Sequence, residues 1–225
     1  LKRFVHVSSF SVYDFGEPSW FGSLQESTPV EHDPARRDAY TQTKLLQEEM
    51  VRSHCRERGI PLVVVRPGAI YGPGKDWDYG RAMKLGRLDL IFAPSSRMRL
   101  VHVEDCAKAL VAALDVPVEG ELVVNVVGED QPSHWSFHRR ARRAGAPVGT
   151  PVPVPYPLVR ALGGAAWLTS RLFFRGKARL PELLDLPRQQ VRWRNLRYPN
   201  SEAKARLGWS ETVPLDQGVG GILKK

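Results

Sequence analysis

Tyr40 and Lys44 are four residues apart in the run Tyr40-Thr41-Gln42-Thr43-Lys44. On a helix that spacing puts two side chains on one face, about 5–6 Å apart at their bases. An ammonium so placed favours the phenolate and draws a tyrosine pKa of roughly 10 towards neutrality. A phenol tuned in this way can give or take a proton at a carbinol or carbonyl oxygen. The spacing also arises by chance on solvated helices, so its weight comes from its companions. Ser9 closes a predicted strand at 3–7, and open α/β sheets hold their ligands at strand carboxyl ends. Its hydroxyl could bond the oxygen whose proton Tyr40 handles. Arg66-Pro67-Gly68-Ala69-Ile70-Tyr71-Gly72-Pro73-Gly74 follows a second strand and offers close backbone approach.

The elements that must position these residues are partly legible. Residues 39–58 form an amphipathic helical stretch stopped by Gly59, and 60–65 is an unbroken β-branched run. Such a run suits a strand buried on both faces of a parallel sheet, so strand, helix and strand make a βαβ unit. Further expected elements are a strand at 100–103, a helix at 104–115 and a strand at 122–127. Residues 147–157 hold five prolines and read as an extended linker rather than an element. Beyond them come a helix at 158–174, a Pro-punctuated helix near 181–186, and a tail of strand, short helix and final helix over 197–223. Early alternation of strands and helices, then mostly helices, implies an α/β fold with a smaller C-terminal lobe.

Composition sets the outer bounds. The 225 residues are 42% hydrophobic and 25% charged, which excludes general disorder. The net charge of +9 permits anionic partners without requiring them. Cys55 and Cys106 are too few for a disulfide framework and lack ligand spacing, which fits a reducing compartment. Both read as packing residues, His6 and His102 as core histidines, and no metal set is expected. No run reaches the ~18 apolar residues of a membrane span.

Together, Phe4-Val5-His6-Val7-Ser8-Ser9-Phe10-Ser11-Val12-Tyr13, Tyr40-x-x-x-Lys44, the 66–74 turn, Leu100-Val101-His102-Val103-Glu104-Asp105 and Leu207-Gly208-Trp209 resemble the extended short-chain dehydrogenases/reductases, the NAD-dependent epimerase/dehydratase family. The resemblance implies the C-terminal portion of a Rossmann-type doubly wound parallel sheet with a smaller, mostly helical substrate-binding lobe. Residues 1–128 would be the Rossmann part with interleaved substrate-lobe segments, and 129–225 mainly the C-terminal lobe. It further implies a catalytic set of Ser9, Tyr40 and Lys44. Ser8, Tyr40, Lys44, Pro67, Gly68 and Ile70 would meet NAD or NADP, and Ser9, Phe10 and Ser11 the substrate. The expected reaction is oxidoreduction or epimerisation at a carbinol or carbonyl carbon of a small molecule, in a cytoplasmic protein that pairs as a homodimer.

The sequence departs from the family in three places. The Gly-rich turn that receives the cofactor pyrophosphate does not occur, and the chain opens within a strand-like run without Met. The expectation is therefore a C-terminal fragment lacking about three βαβ units, on the order of 100 residues, and inactive as it stands. Phe10 and Ser11 replace the Asp-Glu pair of the dehydratase branch, which argues against sugar-nucleotide dehydration. Met98 stands where nucleotide-sugar epimerases keep a phosphate-binding arginine, which favours redox chemistry on a less charged substrate.

Three competing readings remain. A nucleic-acid module would use Arg192, Arg194 and Arg197 interleaved with Trp193 and Tyr198; no nucleic-acid partner is expected. A non-catalytic relative would keep the fold as a cofactor sensor or scaffold. The apolar stretch 158–174, flanked by arginines, could close over the substrate pocket, pack a dimer or rest on a membrane surface.

Overall fold

The computed structural model describes residues 2–73, 83–174, 181 and 183–223. Its centre is a parallel three-stranded sheet in the order β1 (Phe4–Val7), β2 (Leu62–Pro67), β7 (Glu121–Val126). Val7 pairs with Val65 and Val65 with Val124. Every residue of β2 is buried, as its continuous apolar run demands of a strand covered on both faces. Alternation then divides its side chains. Leu62 and Val64 pack with Cys55 of helix α1 (Ala39–Glu57). Val63 and Val65 pack with Cys106, Ala109 and Ala113 of helix α2 (Val103–Asp115) on the opposite face. The sheet is doubly wound for this reason.

Helix α1 starts where Asp38 accepts a hydrogen bond from the Thr41 amide at 3.0 Å, a Ser/Asp-type cap that satisfies an orphan donor. It ends at Gly59, whose φ of +60° suits a residue without a Cβ. Burial holds the Cys106 thiol up at about 11, and both cysteines are buried and unpaired, consistent with packing roles.

Two smaller sheets accompany the central one. β3 (Ala69–Tyr71) pairs in parallel with β6 (Leu100–His102), so part of the 66–74 turn is itself a strand; Gly74 lies outside the described residues. β4 (Met83–Leu85) and β5 (Leu88–Phe92) form a hairpin, and β8 (Thr150–Val154) pairs in parallel with β5. The proline-rich stretch read as a linker is therefore an edge strand. Thr150 donates its amide to Arg87 at 2.9 Å, and Val154 accepts from Ala93 at 2.8 Å. Pro151 and Pro153 occupy the alternate positions, whose missing N–H groups would point away from the partner, the one place a sheet tolerates proline.

The remaining helices are α3 (His134–Arg143), α4 (Tyr156–Phe174), α5 (Leu186–Trp193), α6 (Ser201–Leu207) and α7 (Leu215–Leu223). The helix expected near 181–186 begins instead at Leu186, with a proline in its first turn, where a lost N–H costs nothing; residue 182 lies outside the described residues. Arg197 makes a single bridge to Ser23 rather than a strand. Trp193 and Tyr198 are buried core residues, so they offer no stacking platform of the kind a nucleic-acid module needs.

Candidate active site

The carboxyl end of β1 gathers the residues that could do chemistry. The Ser8 amide donates to the Val65 carbonyl at 2.8 Å, which fixes the point where the strand stops. Ser9 follows in extended conformation and caps a single helical turn, Phe10–Val12, by accepting the Ser11 amide at 3.1 Å. Its own hydroxyl proton is left for another acceptor. Lys44 reaches from α1 to donate to the Val7 carbonyl at 2.9 Å. Tyr40, one turn earlier on the same helix face, is 57% exposed. Ser9 and Lys44 are thus brought to one strand end, and Tyr40 stands one helical turn before Lys44 and is exposed.

Beneath this open rim lies a buried ionic network. Glu48, one turn beyond Lys44, is 1% exposed. Arg66 of β2 grips its carboxylate through Nε at 2.9 Å and Nη2 at 2.6 Å, Arg52 approaches at 2.7 Å, and the Ser8 hydroxyl donates to the same group. Burial alone would push the carboxyl pKa up. The Arg66 hydrogen bonds and charge, helped by Ser8 and Arg52, outweigh it and hold the group at about 2. Arg66 also lies 4.5 Å above the Tyr13 ring, and the Tyr13 hydroxyl donates to Asn125 of β7 at 2.8 Å. The network thereby ties α1 to all three strands. Sequence reading missed Glu48 and Arg66 as site residues. The available signal was the series Lys44, Glu48, Arg52 at successive four-residue steps, which share one helix face.

The other expected contacts fall in different places. The Ser8 side chain is turned inward to Glu48, so its hydroxyl serves the strand end. Phe10 is buried against Tyr13 and Tyr198 in the core beneath the turn. The Ser11 carbonyl accepts from Arg37 at 2.7 Å, while the Ser11 hydroxyl is buried with no hydrogen-bond partner among the described residues. Pro67 ends β2, and Ile70 pairs with Val101 and packs against the α2 core. Gly68 makes a close approach, but to protein: a Cβ there would stand 2.5 Å from the Arg99 carbonyl oxygen. Met98 is likewise a core residue, packed with Tyr71, Leu100 and Phe137.

Two features of the 100–105 signature gain a physical reason. His102 caps α2, its Nδ1 accepting the Glu104 amide at 3.4 Å. Asp105 is fully buried and accepts from the Thr212 and Val213 amides and the Thr212 hydroxyl, while its carbonyl accepts from the Trp209 indole at 2.8 Å. The signature Asp therefore ties the C-terminal tail to the first turn of α2. Elsewhere, Asp14, Glu31 and His32 bring ligand-type atoms within 4.8 Å of one another. Asp14 already accepts the Gly16 amide, and Glu31 takes the Asp33 amide and Arg37.

The family model for the NAD dependent epimerase/dehydratase family matches residues 1–127, more than half of the chain. The chain belongs to that family. A 3beta-hydroxysteroid-dehydrogenase/decarboxylase of Arabidopsis thaliana is 23% identical over 97% of this chain and 52% of its own length. A ceramide reductase of Caulobacter vibrioides is 30% identical over 62% of this chain and 45% of its own. Among solved structures, UDP-glucuronic acid 4-epimerase from Bacillus cereus in complex with NAD superposes with a TM-score of 0.66 at 23% identity, covering 99% of this chain and 60% of that one. RMD from Pseudomonas aeruginosa, complexed with NADPH, gives 0.63 at 17%, covering 98% and 65%. The chain spans about half the length of the curated relatives it matches. The likeness to these structures shows the doubly wound fold.

The donor set at the β1 end fits the nicotinamide-ribose side of a dinucleotide. After its bond to Val7, the Lys44 ammonium keeps donors for ribose hydroxyls.

Proposed function

We propose that this chain carries the catalytic half of an NAD(P)-dependent oxidoreductase or epimerase that works at a carbinol or carbonyl carbon through Ser9, Tyr40 and Lys44. The observation that carries the reading is the Lys44 ammonium seated on the Val7 carbonyl, one turn from Tyr40 and next to Ser9. Tyr40 holds the proton that moves to or from the substrate oxygen. Lys44 takes the ribose hydroxyls, and Ser9 donates to the substrate oxygen and fixes its position. A bound nicotinamide would supply the hydride chemistry, and the backbone around Pro67, Gly68 and Ile70 would help to hold it. Glu48 and Arg66 hold the strand end and helix in register, which makes them positioning residues.

The substrate reading is a small molecule of modest charge. It is supported by the steroid and ceramide named for two relatives. The proposed arrangement also divides the chain near Gly128 and pairs two copies along α1, whose Leu46 and Met50 are exposed. A cytoplasmic location accords with the two free cysteines; no helix among the described residues is long and apolar enough to cross a membrane.

Nicotinamide mononucleotide binding, read by calorimetry, tests the site without requiring turnover. Lys44→Met should weaken it about tenfold, the loss of charge-assisted hydrogen bonds. Equal affinity in parent and variant would leave Lys44 without a cofactor role and favour the scaffold reading.

A further inference from the structure

A cleft of about 360 Å3 opens where the β4–β5 turn meets the segment that joins α3 to β8. Three cations line it, each from a different element: Lys84 of β4, Arg87 of the turn, and Arg142 in the last turn of α3. None of the three is ion-paired among the described residues. The Lys84 ammonium makes one long bond, to the Pro147 carbonyl at 3.4 Å, which leaves its other donors free. The single carboxylate in the lining is Asp89, which is 3% exposed. Its Oδ2 lies 2.9 Å from His138 Nε2 and accepts the Gly149 amide at 2.7 Å, so partners other than the three cations hold it in the wall. Two positive charges are left in excess at the cleft.

The backbone fixes the shape of the cleft. Gly86, with φ of +61°, opens a two-residue hairpin turn between Leu85 and Leu88 and sets Arg87 at its second position. The Arg87 carbonyl accepts the Thr150 amide at 2.9 Å, and a Cβ on Gly149 would stand 2.6 Å from that same oxygen. Only a glycine lets the two walls meet this closely. Guanidinium forks match the oxygens of a phosphate, and an excess of two positive charges suits a dianion. No aromatic side chain lines the cleft among the described residues, so a nucleobase would find no ring to stack on. The volume falls within the range of small-ligand pockets and leaves room for a group attached to the phosphate.

We propose that this cleft binds the phosphate of a non-aromatic phosphomonoester, with Arg87 and Arg142 gripping its oxygens and Lys84 supplying the third charge. The cleft shares no residue with the rim of Ser9, Tyr40 and Lys44. The proposal therefore goes beyond the redox reading and does not depend on it.

Two titrations of the chain present the same group from different sources. Calorimetry with glycerol 3-phosphate offers it in solution, and sedimentation with phosphatidylcholine vesicles, with and without phosphatidate, offers it on a lipid. Binding at about millimolar affinity or tighter is expected in at least one of them. Glycerol 3-phosphate alone would mark a soluble ligand, and phosphatidate alone a lipid headgroup. Arg87→Gln and Arg142→Gln, both at exposed positions, should each weaken that binding about tenfold. Arg139→Gln removes the same charge from an exposed position of α3 outside the cleft and should leave the affinity unchanged. No binding in either titration would overturn the proposal. So would a loss in Arg139→Gln as large as in Arg142→Gln, because diffuse surface charge would then explain the binding.

Discussion

Tyr40 and Glu48 lie two turns apart on the same side of α1, yet one is 57% exposed and the other 1%. Between them, Lys44 bonds the end of β1. The helix runs from an open rim, where protons can be exchanged, into a buried anchor, where four polar side chains satisfy one another. The difference separates two kinds of importance. Residues at the rim should govern chemistry and leave the fold alone. Residues at the anchor should govern the fold and reach the chemistry only through it.

The largest effect expected on stability is at the anchor. Glu48→Ala leaves Arg66 buried and uncompensated, which should cost about 3–5 kcal/mol in denaturant unfolding. A loss below about 1 kcal/mol would mean that the network behaves as a surface pair. The same carboxylate predicts an acid limb. Its pKa is about 2 in the folded chain against an ordinary value of 4.5. Its contribution is therefore complete above pH 4.5 and is lost as pH falls from there towards about 2, by up to about 3 kcal/mol. Stability measured against pH should show this limb in the parent and a flatter one in Glu48→Ala. Next in size, Gly68→Ala forces a Cβ to within 2.5 Å of the Arg99 carbonyl oxygen and should cost about 1–3 kcal/mol. A neutral result would mean that the Arg99 carbonyl gives way to the added methyl. The smallest shift belongs to the rim: Tyr40→Phe should change stability by less than about 0.5 kcal/mol.

The same contrast explains what the sequence disclosed. The 60–65 run announced a strand covered on both faces, because burial there needs only a continuous apolar string and its two neighbours. Tyr40 and Lys44 were visible because their spacing is local to one helix. Glu48 was not, since a glutamate on an amphipathic helix reads as solvated. Its burial depends on Arg66, 18 positions away on another strand. Residues 150–154 were misread for a related reason. Proline density suggested a linker, and only the pairing with β5 shows that both prolines fall at the positions an edge strand leaves free. The 100–105 signature was recognised as a pattern, but its reason, Asp105 holding Thr212 and Val213, spans about half the chain. Local spacing carries rim chemistry; long-range pairing carries the anchor.

The rim claim has one decisive test. Tyr40→Phe removes a single hydroxyl from an exposed position, so circular dichroism and unfolding should match the parent. Hydride transfer, followed by nicotinamide absorbance in the active protein, should fall by at least about a hundredfold. A folded variant that keeps most of its turnover would contradict the assignment of Tyr40 as the proton-transferring residue.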